Sequence, residues 1–368
     1  MNGQLHTLDA RIPAQWCEDF FTALAEMDEY AATELVDHAL DSGLTPEQVL
    51  LRVIAPAQAK VGQEWAAGRL TVAREHAATA ISDRAIATLS RSTAATRVRG
   101  TRGRVTVACV DGEWHALPAR LVAETLRLRG WQVDFLGAHV PTPHLISHLH
   151  TTGPDAVALS CSLATRLPTA HATITACQAA GIPVLVGGAA FGADGRYARL
   201  LGADAWAPDA ESAVARLAEQ PVVTPAYPEL GDPFTTLPHL VDQEYTLLSR
   251  NRRQLVEQAM TGLQERLPAM SAYSDQQCEH TREDLGHIAD FLIAALYVDQ
   301  AQILADFLAW TSDILDARNV PARSLLTVLD VIAEHLRDFP RTLAIIDASR
   351  SAVTTTRTPH SRTTEDTA

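Results

Sequence analysis

The chain has 368 residues, 47% of them hydrophobic and 20% charged, which allows two or three separate globular cores. Its formal charge of −14 argues against unaided nucleic-acid binding, which needs clustered Lys and Arg to displace counterions from phosphates. No apolar run approaches the ~20 residues of a membrane helix, and the opening MNGQLHTLDARIP lacks a basic region followed by an apolar stretch, so a cytoplasmic protein without secretory signal is expected.

Residues 10–98 read as a helical bundle. AQWCEDFFTALAEMDEYAATELVDHALDSG carries apolar residues at helical spacing and stops on Gly43. Thr45, Pro46 and Gln48 then form a capping-box start, and a last helix runs from about Thr71 through VAREHAATAISDRAIATLSRST. The basic stretch RVRGTRGR at 97–104 reads as a solvated linker.

From 103 to 220 the period changes. RVTVACV, WQVDFLG, AVALSCS, PVLVGG and AWA are short apolar runs separated by helical segments at 118–129, 141–151, 167–180, 194–201 and 209–219. This alternation predicts a parallel, doubly wound α/β sheet with ligands beyond the carboxyl ends of its strands. The loops DGEWHALPAR, SCSLATRLP and GGAAFG fall at the ends of the first, third and fourth strands and should converge there. Cys109 and Cys161 lie inside strand patterns. The five cysteines are odd in number and hold no CxxC pair, which suits free thiols in a reducing compartment and argues against structural zinc.

Residues 221–238 are a Pro-rich linker by composition, residues 239–350 return to helix, and residues 351–368 read as a disordered, Thr-rich tail. In the helical part, Leu285, Ile288, Leu292 and Leu296 share one face and Ile303, Phe307, Trp310 and Ile314 another, both expected to be core.

The segment EWHALP, with the later SCSL and VGG, resembles the flavodoxin-like cobalamin-binding domain of methionine synthase and of light-responsive regulators. The resemblance implies that His115 is the lower axial cobalt ligand, replacing the cofactor's own base. Glu113 holds the motif position that orients the imidazole, with Asp111 as a local substitute. It also implies a nucleotide slot lined by Ser160, Ser162, Leu163, Gly187 and Gly188, the glycines letting the ligand approach the backbone, with Trp114 and Leu117 beside the histidine. Pro118 stands where the family has glycine, so an altered loop entry is expected.

Upstream, Trp65, nine residues, then Glu75 and His76 resemble the cap of the light-dependent cobalamin regulators, implying that this bundle covers an adenosyl group, with a buried Glu75 accepting from ribose hydroxyls. Those regulators usually begin with a helix-turn-helix domain, for which no room is seen before residue 14. Several also place a second histidine after the Trp, where this chain has Ala66, so His76 or solvent would take that cobalt position. The segment CEHTREDLGHIADFLIAALYVDQAQILADFLAWTSDILDARNVP resembles the globin-like helical domain of the photocobilins, so the likeness extends over nearly the whole chain. It implies a bilin such as biliverdin held by His287 first, which faces close to the Leu285–Ile288 stripe, then His280, Arg282, Asp284 and Tyr297, with Cys278 a covalent anchor.

The resulting expectation is a light sensor rather than an enzyme: no Ser-His-Asp order, phosphate-binding glycine loop or zinc spacing argues for separate catalysis. It would bind adenosylcobalamin and a bilin and act through a homo-oligomer or a protein effector. A corrinoid methyl carrier and a cobalamin-sensing module without photochemistry stand as alternatives.

Overall fold

The first helical run divides in two. In the computed structural model, which describes residues 14–92, 102–219, 237–318 and 320–354, α1 (Ala14–Glu26) ends at Met27, whose φ of 60° cannot continue a helix. Asp28 then caps α2 (Glu29–Asp41), accepting the Ala31 N–H at 2.9 Å. The capping box opens α3 (Pro46–Gln48): Thr45 Oγ1 accepts the Gln48 N–H at 3.2 Å and Gln48 Oε1 accepts the Thr45 N–H at 2.8 Å. This helix continues through a π-helical run, Val49–Ile54, into α4 (Ala55–Ala66), and α5 (Val72–Ser92) closes the bundle. Phe20, Leu24, Leu50, Ile54 and Ile86 are almost fully buried at its centre, each worth about 1.5–3 kcal/mol of transfer from water.

The second layer alternates as the periodicity predicts: β1 (Arg104–Cys109), α6 (Ala116–Leu128), β2 (Gln132–Gly137), α7 (Thr142–Thr152), β3 (Ala156–Ser160), α8 (Leu167–Ala179), β4 (Val184–Gly187), α9 (Arg196–Leu200), β5 (Ala205–Ala207) and α10 (Ala210–Glu219). The strands pair in parallel in the order β2-β1-β3-β4-β5. Helices on both faces explain why β1 and β3 are buried almost end to end instead of alternating. The strand order reverses at β1, so the carboxyl ends of β1 and β3 border the crevice where such sheets bind ligands.

Helix α6 belongs to two cores. Ala119, Ala123 and Leu126 pack on the sheet, while Leu117, with Leu121 and Leu128, packs into the bundle core. Arg129, at the end of α6, forks onto Glu47 at 2.6 and 2.7 Å, and Arg52 lies 3.6 Å from Glu211 of α10, a second link between bundle and sheet layer.

Pro238 begins a second compact unit, all helical among its described residues. It comprises α11 (Glu244–Arg250), α12 (Arg252–Arg266), α13 (Asp275–Val298), α14 (Gln302–Ala317), α15 (Ser324–His335), α16 (Pro340–Ser349) and α17 (Ser351–Thr354). The stripe Leu285, Ile288, Leu292 and Leu296 is buried along α13, as its spacing predicts. Arg252 pins α12 to it, donating to Asp290 Oδ2 at 2.7 Å and to the Gly286 carbonyl at 3.0 Å. The second stripe is only partly core: Ile303 and Ile314 are buried, but Trp310 is 44% exposed, stepped outward beyond Phe307, which stacks on Phe291. The first residues of the expected tail are ordered instead, since α17 occupies Ser351–Thr354 and buries Val353. The remainder of the tail, residues 10–13, most of the basic stretch and nearly all of the Pro-rich linker lie outside the described residues. Among those described, no helix is long and apolar enough to cross a membrane.

Candidate functional site

The loop after β1 is built around a buried carboxylate. Glu113, fully buried, splits its two oxygens. Oε1 accepts the backbone N–H of His115 at 2.9 Å and lies 2.6 Å from its Nδ1, while Oε2 accepts the amides of Ser162 at 2.6 Å and Leu163 at 3.1 Å. The loops after β1 and β3 are thus tied through one side chain. Burial alone would push this carboxyl up, but the His115 ring and the His115 and Ser162 amides outweigh it and hold Glu113 at about 2. The hydrogen bond from Glu113 raises His115, burial opposes it, and the charges of Glu113 and Glu75 add to the rise.

With Nδ1 engaged by Glu113, the imidazole presents Nε2 outward from a side chain 56% exposed. A single oriented imidazole suits a metal that brings its other ligands with it. The nearby Cys109 Sγ donates to the His115 carbonyl at 3.8 Å, and burial, with the Glu113 charge, pushes its thiol up to about 12, so it stays protonated and is no competing ligand. Asp111 is not a substitute for Glu113: it lies 3.1 Å from Nδ1 of His139, because Glu113 already fills the space beside His115.

His115 is the N-cap residue of α6, so Pro118 falls in the first turn, where its missing N–H breaks no helical bond. Pro118 lines one wall of a cavity of about 320 Å³ between α6, α10 and the sheet, with Val122, Ala158, Ser160, Leu185 and Gly187. Gly188 also lines it, and both glycines have close backbone neighbours in addition. Gly188 has φ +103°, and a Cβ there would lie 2.2 Å from the Cys161 carbonyl; one at Gly187 would lie 3.0 Å from the Ala207 carbonyl. The neighbouring chain requires glycine at 188 and leaves little room for a side chain at 187. The slot's largely apolar walls suit an aromatic nucleotide tail, and the outward Nε2 of His115 suits a metal. Ser162 contributes its backbone amide, Leu163 is 37% exposed at the rim, Leu117 is buried towards the bundle and Trp114 stands 68% exposed.

On the bundle side, Trp65 is half-buried at the end of α4, and Glu75 lies in the first turn of α5. Glu75 is 30% exposed, not buried as expected, because it sits at a helix start. It is nonetheless held: Oε2 is 2.7 Å from His76 Nδ1, and Oε1 accepts from Thr79 Oγ1 at 3.2 Å, itself bonded by Gln58 at 2.8 Å. His76 is 75% exposed.

The helical unit gathers its candidates less closely. His280, Asp284 and His287 share one face of α13 and are all exposed, so His287 points away from the buried Leu285–Ile288 stripe. Arg282 is committed to Glu257 at 3.1 Å and Glu279 at 2.6 Å, and Cys278 is a half-buried free thiol. Tyr297 is buried at the far end of α13, stacked on His239 at 4.0 Å. A polar cleft between α12 and α15, lined by Gln258, Glu265, Arg266 and His335, contains none of these candidates.

Comparison with known proteins agrees with the first unit's geometry. Residues 103–218 match the B12 binding domain family, and residues 16–90 match a second B12 binding domain family. The chain is 31% identical over 186 residues to the HTH-type transcriptional repressor CarH of Myxococcus xanthus, across 50% of this chain and 60% of that protein, so it spans less than two thirds of that relative. It is 25% identical over 203 residues to the trimethylamine corrinoid protein of Methanosarcina barkeri, across 53% of this chain and 91% of that one. Among solved structures, the monomethylamine corrinoid protein of Methanosarcina barkeri aligns with a TM-score of 0.48 and 18% identity, covering 56% of this chain and 98% of that chain.

Proposed function

We propose that this chain, whose bundle and sheet match B12 binding domain families, is a light sensor that takes up adenosylcobalamin with His115 as the lower axial ligand. The observation that carries the reading is the pairing of a buried, ionised Glu113 with His115 Nδ1 at 2.6 Å, opposite a bundle whose Glu75 charge reaches the same imidazole. Bound adenosylcobalamin supplies a cobalt–carbon bond weak enough for visible light to break. Trp65 and Glu75 would hold the adenosyl group in the dark and lose their partner once it leaves. The bundle then shifts against the sheet and alters a surface used by a second copy or a protein effector, a population shift driven by contacts present in one state only. Five free thiols support a reducing, cytoplasmic setting.

The α13 face bearing His280, Asp284 and His287, beside the Phe291–Phe307 stack, is the surface we assign to a bilin in a globin-like helical unit. This assignment stands separately from the cobalamin reading.

The test is the absorption spectrum and elution volume of protein loaded in darkness and then illuminated. Adenosylcobalamin-loaded protein should change in both, hydroxocobalamin-loaded protein in neither, and a red band after incubation with biliverdin would support the bilin. Protein that holds adenosylcobalamin yet elutes unchanged after illumination would leave no role for light. A corrinoid methyl carrier is the second reading, favoured by the 91% coverage of the trimethylamine corrinoid protein. It predicts preference for methylcobalamin over adenosylcobalamin.

A further inference from the structure

Beside the His115 loop lies another imidazole that no motif marks. His139, in the turn after β2, has φ 48°, in the left-handed region, uncommon for a residue with a side chain although histidine tolerates it better than most. Its contacts are with the loop itself. His139 Nδ1 accepts the Gly112 N–H at 2.8 Å, and its backbone N–H donates to the Glu113 carbonyl at 2.8 Å. Its ring stacks on the Trp114 indole with centroids 4.7 Å apart and planes at 17°. Asp111 Oδ1 approaches the same Nδ1 to 3.1 Å, a proximity and not a second hydrogen bond while Nδ1 accepts from Gly112. Each residue from 111 to 114 therefore touches His139.

We propose that His139 is a positioning residue that holds this loop, and through it the Glu113–His115 pair, in the ligating conformation. The proposal rests on the reading of His115 as cobalt ligand. The division of labour is geometric. The Glu113 carboxylate is fixed from β3 by the Ser162 and Leu163 amides, whereas the backbone on which it rides is fixed from β2 by His139. Strands on either side of β1 thus brace the loop from two directions. Gly112, at φ +79°, has wide conformational freedom; the Glu113 N–H is tied to the Val110 carbonyl, and His139 adds fixed partners for the Gly112 N–H and the Glu113 carbonyl. The stack also holds the exposed Trp114 indole still beside the ligating imidazole. Axial ligands tolerate little misalignment, and loss of groups that orient them commonly weakens binding about 10–100-fold.

The test uses the full chain and adenosylcobinamide, a corrinoid with no nitrogenous base of its own, so a base-on spectrum reports ligation by protein alone. Wild-type protein should give that spectrum and His115→Ala should lose it. If wild type binds adenosylcobinamide without that spectrum, or His115→Ala retains it, the reading of His115 itself fails, whatever His139 does. With that ligation established, His139→Gly permits the same φ while removing the acceptor and the stack. It should weaken binding about 10–100-fold and leave a base-off fraction at saturation. His139→Asn tolerates a left-handed φ and still offers an acceptor to Gly112, so it should recover most of the base-on fraction. A Gly variant with wild-type spectrum and affinity, or an Asn variant no better than Gly, overturns the proposal. Should His139→Gly fail to fold, Trp114→Ala, an exposed truncation outside any core, serves in its place. A measurable base-off fraction supports the clamp, and an unaltered spectrum overturns it.

Discussion

The two units arrange their candidate ligand-binding residues in opposite ways. In the first, residues far apart in sequence meet: Glu113 touches the amides of residues 162 and 163, and its histidine partner feels Glu75. In the second, His280, Asp284 and His287 share one exposed helix face, while Tyr297 is buried at that helix's far end. A parallel sheet gathers its loops at one edge whatever their spacing in the chain, because every strand ends on the same side. A helix spreads its side chains around and along a cylinder, so neighbours in sequence need not share a pocket.

The contrast is sharpest at the histidines. His115→Ala should reduce corrinoid affinity on the order of 100-fold by equilibrium binding, the upper end of losses seen when a metal site is disrupted. The double variant His280→Ala, His287→Ala should bind corrinoid like wild type, and a comparable loss there would erase the distinction between the units. Next in size are the carboxylates. Glu113→Gln places an amide where three backbone donors need an acceptor and should cost about 1–3 kcal/mol in urea unfolding of cofactor-free protein. Asp284→Asn, on an exposed face, should stay within about 0.5 kcal/mol.

The same pair sets a pH dependence. Glu113 is held to about 2 in the folded state, below its ordinary 4.5, so its contribution is present above 4.5 and is lost as pH falls towards 2. His115 is raised above 6.5, so its contribution is full below 6.5 and is lost as pH rises through the higher folded value. Cofactor-free protein should therefore lose stability from both contributions outside this window, and Glu113→Gln should flatten both limbs. The smallest effects should be alike in the two units. Thr45→Ala and Ser274→Ala each remove a capping box and should cost about 1 kcal/mol of thermal stability apiece.

Much of the first unit is legible in its sequence because its signals are periodic. The strand runs, the capping box at Thr45 and the loop at Glu113 occur where spacing places them. The break at Met27–Asp28 is harder to see, since apolar spacing on both sides of it stays helical and only the Asp cap marks it. His139 also escapes notice. Its loop follows β2, which borders β1 in space although α6 separates them in the chain, and the turn LGAHVP carries no recognisable motif. Asking which strand end adjoins β1 on its other side would have pointed to it. The glycines at 187 and 188 teach the converse: small residues at a ligand slot can answer to a neighbouring carbonyl. In the second unit, helical spacing locates the buried stripe of α13 but misjudges Trp310, because α14 presents that part of its circumference to solvent.

Helix α6 starts at His115 and is gripped on one side by the sheet and on the other by the bundle. An axial tug on that imidazole is therefore a tug on a shared axle: the helix cannot slide or roll without dragging Leu117 through one apolar interior and Ala123 through the other. On the proposed reading of His115, occupancy at the metal would reach the bundle through a rigid rod with no slack loop between them. Trimming Leu117 to alanine should let the rod slip and leave the pigment bound but unheard.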